Sequence, residues 1–180
     1  SGLERDTVVI FTSDHGDHDG EHRLTMKRSF YEAAAHVPLL VRWPGRVPTG
    51  RVDDVHLINN GIDLLPTLCD LAGAAPPAGL PGRSFLPLAH AQPPAGWPEL
   101  IVSETVAGRM LRTARYKYCI YHHAGVSEEL LCDLLDDPLE TENLAPSPPH
   151  QATLQEHRTL LADWTRHHAD PSGAAYLAAL

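Results

Sequence analysis

Apolar and polar positions change period several times along the chain, and each change predicts an element. Thr7-Val8-Val9-Ile10-Phe11-Thr12 is an unbroken apolar, β-branched run, the pattern of a strand buried on both faces of a parallel sheet. It runs into the polar, glycine-containing loop Ser13 to Gly20, and the carboxyl end of a strand is where open α/β sheets bind ligands. A short helix is expected from about Arg28 to Ala35, followed by the strand Pro38-Leu39-Leu40-Val41-Arg42-Trp43 and a Pro44-Gly45 turn. Ile62, Leu65, Leu68, Cys69 and Ala72 recur at helical spacing up to Gly73 as stop. Pro66 falls near the start of that helix, where a missing N–H is tolerated.

The pattern then changes. Residues 74–98 carry Pro76, Pro77, Pro81, Pro87, Pro93, Pro94 and Pro98 among several glycines, and predict an extended connector packed on a surface. Short strands follow at Leu100 to Thr105, Arg109 to Thr113, Tyr116 to Tyr121 and Glu129 to Leu134. Connections as tight as Ala107-Gly108 and Ala114-Arg115 imply antiparallel hairpins. Tyr116, Tyr118 and Tyr121 are expected to pack on that sheet. Leu154, Leu160, Leu161 and Trp164 mark an amphipathic helix able to cover one of its faces. Strand and helix periods are segregated in this half, an α+β arrangement. The expected division is 1–75 as part of an α/β domain, 76–98 as connector and 99–180 as a small antiparallel-sheet and helix subdomain.

Composition changes this picture little and excludes two classes of partner. The formal net charge is −9, and Lys27 and Lys117 are the only lysines, so a nucleic-acid partner, which needs clustered cations, is not expected. No stretch approaches the roughly 18 consecutive apolar residues of a membrane helix, so no membrane partner is expected either. The start, Ser1-Gly2-Leu3-Glu4-Arg5-Asp6, reads like a cut inside a longer polypeptide. Cys69, Cys119 and Cys132 have no CxxC spacing and sit in apolar patterns, so buried free thiols are expected. A soluble protein is expected, with the cytoplasm and the periplasm both open as its compartment.

Chemistry is concentrated in Ser13-Asp14-His15-Gly16-Asp17-His18-Asp19-Gly20-Glu21-His22, with Lys27 just beyond. Carboxylates suit hard divalent cations, and a neutral imidazole suits manganese or zinc as well. An Asp at a strand tip is rigidly presented, Gly16 leaves room for a ligand, and a lysine nearby can neutralise an anionic substrate. A zinc site from His15, His18 and His22 competes with this, but Gly16 and Gly20 argue against a helix and no HExxH pattern is present. A solvated acidic loop is the plain alternative. Asp17, His18 and Asp19 are expected to supply loop polarity, and His122-His123 and His167-His168 to be exposed surface pairs.

The wider pattern resembles the sulfatase family of the alkaline phosphatase superfamily. It consists of Val9 to Asp17, Gly20-Glu21-His22, Lys27, Phe30-Tyr31-Glu32, Val37 to Gly45, Asp63 to Leu68 with Leu71-Ala72-Gly73, Gly82-Arg83-Ser84, Arg112 to Tyr118, Glu129-Leu130 to Asp133, and Asp136 to Leu144, in that order. The resemblance implies the C-terminal part of that α/β fold. It implies that Asp14 and His15 ligate a divalent cation, calcium in most of the family with manganese as the other choice. It also implies that Lys27, thirteen residues beyond Asp14, contacts the sulfate group and so takes part in catalysis. His22 either lines the substrate pocket or braces the loop. The family's nucleophile is a formylglycine made from a C/S-x-P-x-R motif, which this chain lacks. That nucleophile, with a further aspartate pair, is expected in a preceding part of the same polypeptide. The implied activity is hydrolysis of sulfate esters by the full protein, the 180-residue chain alone being inactive. A phosphodiesterase or phosphonate monoester hydrolase of the same superfamily is one alternative, and a non-catalytic metal-binding or structural module is another.

Overall fold

The computed structural model describes residues 2–180. In chain order the regular elements are β1 (Val9–Thr12), α1 (Glu32–Ala35), β2 (Leu39–Arg42), α2 (Asn60–Leu71), α3 (Leu86–Ala89), β3 (Ile101–Thr105), β4 (Gly108–Arg112), β5 (Tyr116–His123), β6 (Val126–Asp133), α4 (Gln151–His167) and α5 (Pro171–Ala178). They pack as two compact units, one of residues 1–16 with 36–99, the other of residues 17–35 with 100–180.

In the first unit β1 pairs antiparallel with β2, from Val9 opposite Arg42 to Thr12 opposite Leu39. Ile10, Leu39 and Val41 point to one face and pack on buried Phe85, Leu88 and Trp97. On the other face Val9, Phe11 and Leu40 are 48%, 58% and 62% exposed. Two-sided burial of this strand in a parallel sheet is therefore not what the described residues of the unit contain, because α2, α3 and Trp97 cover one face and none of those residues buries the other. α2 has the same character. Ile62, Leu65 and Leu68, which give the helix its apolar period, are exposed, whereas Asp63, Pro66 and Thr67 are buried. The 76–98 segment carries α3 and supplies the Phe85, Leu88 and Trp97 core.

The inward face of α2 is polar because it docks that segment by hydrogen bonds. Asp63 accepts from the backbone N–H of Arg83 at 2.9 Å and of Asn59 at 2.8 Å. Thr67 Oγ1 donates to Asp63 O and accepts from Phe85 N, and Ser84 Oγ donates to Asp70. Pro66 sits at the seventh residue of the helix and lacks the N–H that would reach the Ile62 carbonyl. Gly82 packs against that same carbonyl so closely that a Cβ at position 82 would lie 2.0 Å from Ile62 O.

The second unit is built on the antiparallel sheet β3-β4-β5-β6, the four-stranded sheet among the described residues. Its hairpins are as expected, and β5 and β6 run on to a turn at Ala124-Gly125. One face packs Val102, Leu111, Tyr118, Ile120 and Leu131 against Leu154 and Leu161 of α4. The other packs Met110, Cys119, Leu130 and Cys132 against Phe30. α5, which the apolar pattern does not reveal, begins at Pro171 with Asp170 accepting from Gly173 N. Asp170 also takes two hydrogen bonds from Arg109, at 2.7 and 2.9 Å, so the cap is tied to β4. Of the histidine pairs, His123, His167 and His168 are exposed, but His122 stacks on Tyr176 at 4.8 Å and bonds Ser127.

Candidate functional site

Asp14 and His15 follow directly after β1, past the last ladder pair Thr12 and Leu39. Backbone hydrogen bonding of the sheet stops there, and side chains take over. Ser13 Oγ donates to His15 O at 2.7 Å, and His15 N donates to Asp14 Oδ1 at 3.0 Å. The Asn60 side-chain amide donates to Ser13 O at 2.5 Å and to Asp14 O at 3.3 Å.

His15 Nδ1 lies 2.7 Å from Gly16 O. A carbonyl only accepts, so Nδ1 carries the proton, and in the neutral ring Nε2 keeps its lone pair. Nε2 lies 3.3 Å from Asp14 Oδ2, and the Asp14 side chain is 82% exposed. One carboxylate oxygen and one imidazole nitrogen thus share a side of the loop, open to solvent. That donor set fits a hard or borderline divalent cation, with the tautomer fixed by a backbone carbonyl as is usual for ligating histidines. It fits as part of a coordination sphere: among the described residues no three His, Cys, Asp or Glu side chains are grouped so as to hold a metal ion.

Lys27 and His22 belong to the second unit. Residues 17–28 form a loop closed on itself. His18 N donates to Met26 O at 3.0 Å, and Asp17 Oδ1 accepts from Asp19 N and Met26 N. Asp19, His22, Arg23 and Met26 all have left-handed φ, between 44° and 69°, a conformation that costs free energy in non-glycine residues and clusters at functional sites. His18 is 1% exposed, so its contribution to the loop's polarity is made from a buried position. Its Nε2 meets Ser29 Oγ at 2.7 Å and its Nδ1 has no hydrogen-bond partner. His22 lies flat on the Tyr31 ring, 3.7 Å between centroids and 7° between planes. Lys27 is exposed just past the loop's closing contact.

The loop's far end is held down by the sheet. Lys117 of β5, fully buried, donates to Phe30 O at 2.8 Å and pairs with Glu140 at 2.7 Å and Glu32 at 2.6 Å. Glu140 also accepts from Glu32 N at 2.6 Å, and Tyr121 Oη accepts from Phe30 N at 3.0 Å. α1 therefore begins only at Glu32, because residues 29–31 are spent on these contacts. Asn60 and Glu140 do not stand out in the sequence, and nothing there distinguishes His18 from the loop's other histidines. The only hint was Lys117, a lysine flanked by aromatic residues inside a strand, where an unpaired charge would not be stable.

Comparison with known proteins places the chain in a family. A family model described as N-sulphoglucosamine sulphohydrolase, C-terminal, matches residues 20–167. A Delta 4,5-hexuronate-2-O-sulfatase of Bacteroides thetaiotaomicron is 39% identical over 169 residues, covering 89% of this chain and 35% of that protein. A candidate sulfatase from Bacteroides thetaiotaomicron has a crystal structure that superposes with a TM-score of 0.83 at 38% identity, over 94% of this chain and 38% of its own. A phosphonate monoester hydrolase of Agrobacterium radiobacter superposes with a TM-score of 0.78 at 30% identity, over 93% of this chain and 36% of its own. The fold is thus the α/β class of alkaline-phosphatase-like proteins, with a small antiparallel sheet and C-terminal helices. Within that class the chain belongs to the sulfatase family and matches the family's C-terminal part. It spans about a third of the length of the relatives it matches, 35% for the hexuronate sulfatase. No described helix is long and apolar enough to cross a membrane.

Proposed function

We propose that this chain is the C-terminal part of a sulfatase that hydrolyses sulfate esters of sugars, and that it supplies Asp14 and His15 to a divalent cation and Lys27 to the sulfate. The observation that carries the proposal is the outward-facing pair of Asp14 Oδ2 and His15 Nε2, with the histidine tautomer set by Gly16 O, in a chain 39% identical to a named sulfatase.

In this reading Asp14 contributes negative charge to the cation and His15 a neutral nitrogen. When bound, the cation supplies Lewis-acid stabilisation of charge on the non-bridging sulfate oxygens. Calcium is the proposed metal, since a carboxylate is half of the donor pair; manganese fits the imidazole equally. Lys27 places a compact positive charge against the sulfate, and His22, flat on Tyr31, offers a ring face at the same loop for the sugar. A formylglycine nucleophile is expected from the part of the longer protein outside this chain. Residues 1–75 are then proposed as the C-terminal portion of the catalytic domain, 76–98 as the connector and 99–180 as the C-terminal subdomain, with the segment 17–35 of the first part packing on the last. The exposed Val9, Phe11 and Leu40 face and the exposed Leu65 and Leu68 are proposed to lie against that longer part.

The similarity to a phosphonate monoester hydrolase supports a second reading, hydrolysis of phosphonate monoesters or phosphate diesters. Over nearly the same share of this chain it is the more distant match, 30% against 38% identity. The test is turnover by the full-length protein of an aryl sulfate, a 2-O-sulfated hexuronate and an aryl phosphate diester. Preference for a sulfate, lost in Asp14→Ala, is expected; preference for the diester would replace the first reading with the second, and unaltered turnover in Asp14→Ala would remove the metal role.

A further inference from the structure

We propose that Asn60 is a positioning residue for the Asp14–His15 pair, acting through the backbone carbonyls on either side of the Asp14 peptide unit; the proposal rests on the metal role of that pair. The sheet ladder ends at Thr12, and the carbonyls of Ser13 and Asp14 just beyond it are met by a side chain. A single primary amide has two N–H donors, and Asn60 Nδ2 spans both oxygens, at 2.5 and 3.3 Å. Fixing two consecutive carbonyls fixes the rotation of the peptide between them. That rotation sets the direction in which the Asp14 carboxylate leaves the backbone.

The amide can do this only if it is itself immobile. Asn60 is the first residue of α2, whose N-terminus is capped by the Asn59 side chain accepting from Gly61 N at 3.0 Å. Asn59 N donates to Asp63 at 2.8 Å, and Asp63 is buried and also bound by Arg83 N. A chain of hydrogen bonds thus runs from the Gly82-Arg83 turn through Asp63 and Asn59 to the helix end that carries Asn60. The Ser13 hydroxyl completes the brace by donating to His15 O at 2.7 Å. Partners outside the ligand shell that orient ligands commonly change metal affinity by about 10- to 100-fold when removed.

The experiment uses the full-length protein stripped of metal, with calcium chloride and manganese chloride titrated calorimetrically. The variants are Asn60→Ala, Asn60→Leu and Asp14→Ala, and melting of the metal-free proteins is recorded alongside. Leu is close to Asn in shape, favours the helix and has no donor, so it keeps the helix end while deleting the two hydrogen bonds. Asp14→Ala should abolish the heat of binding. Both Asn60 variants should weaken the affinity by about tenfold or more, with metal-free melting within about 2 °C of the parent. An affinity within twofold of the parent in both Asn60 variants, with Asp14→Ala still abolishing it, overturns the role of Asn60 and leaves the metal site standing. A weakened affinity that appears only with an equally lowered metal-free melting temperature also overturns it. Parental affinity in Asp14→Ala overturns both this inference and the proposed metal role.

Discussion

Replacing Lys117 by Met should unfasten the segment that carries Lys27 while leaving the first unit intact. All three ammonium protons are spent, on Phe30 O, Glu140 and Glu32, at 2.6 to 2.8 Å, and the side chain is fully buried. Met keeps most of the volume, so the cost is electrostatic. The Glu140 side chain, 2% exposed, retains its bond from Glu32 N but loses its counter-ion. Removing one partner of a buried pair costs about 3–5 kcal/mol, because the other charge stays behind. At 1.36 kcal/mol per decade, local opening of residues 29–35 and of β5 becomes roughly 10²- to 10⁴-fold more frequent. Amide hydrogen exchange followed by mass spectrometry reads this peptide by peptide, with the α2 peptide as internal control. Adding Glu140→Gln should restore part of the protection, since an amide oxygen still accepts from Glu32 N and no charge is left stranded. A change below about tenfold in peptide 29–35, or an equal loss in α2, would refute the argument that this charge pins the loop to the sheet.

Three further outcomes follow from the packing. Gly82→Ala should destabilise the first unit by about 1–3 kcal/mol or more, seen as faster exchange in residues 60–71, because the new Cβ meets a backbone oxygen at 2.0 Å; parental exchange would show that the 82–85 turn moves freely. The bonds from Arg109 hold the Asp170 carboxyl below its ordinary range. A depressed carboxyl contributes stability that is complete above the unfolded pKa and lost as pH falls through the folded one. α5 should therefore lose exchange protection as pH falls below about 4, and Asp170→Asn should open α5 at neutral pH while flattening that acid dependence. Burial pushes the Cys119 thiol well up and Cys132 up to about 12. Iodoacetamide at pH 8 should label half-buried Cys69 first, and early labelling of Cys119 would contradict the burial of that sheet face.

What the sequence showed and what it hid divide along a physical line. The hairpins of the second unit were legible because their turns are short and their strands alternate, so local pattern and tertiary packing agree. α2 was legible as a helix but not as to its faces. Its apolar stripe is exposed and its inward face includes Asp63, Pro66 and Thr67, since within this unit it docks a hydrogen-bonding turn beside the contact of Leu64 with the Phe85, Leu88 and Trp97 cluster. His18 had the composition of a loop residue and is buried, because Ser29 and Tyr31, eleven and thirteen residues on, close over it. α5 escaped because it is short and rests on a cap and an ion pair more than on a stripe of its own. The Asp14-His15 pair and Lys27 stood out because acids, imidazoles and a rare lysine are dense there. The braces behind them, Asn60 and Lys117, lie 46 and 90 residues from the groups they steady, and no local pattern can report a contact of that range.

The division into two units gives the small sheet a task of its own. The chemistry-bearing run from Ser13 to Lys27 is continuous in sequence, yet the chain passes from one packing unit to the other between Gly16 and Asp17. The Asp14-His15 pair, proposed to hold the cation, is steadied by α2 of the first unit, and the lysine loop by β5 and Glu140 of the second. A loop with four non-glycine residues in left-handed conformations cannot hold that shape alone, since each costs on the order of 1 kcal/mol or more. The contacts of buried Lys117 and His18 and of half-buried Tyr121 are what offset that cost. The C-terminal sheet is then the scaffold on which the proposed sulfate-binding lysine is preorganised. Variants buried deep in it, far in sequence from Lys27, should weaken substrate binding before they unfold the protein.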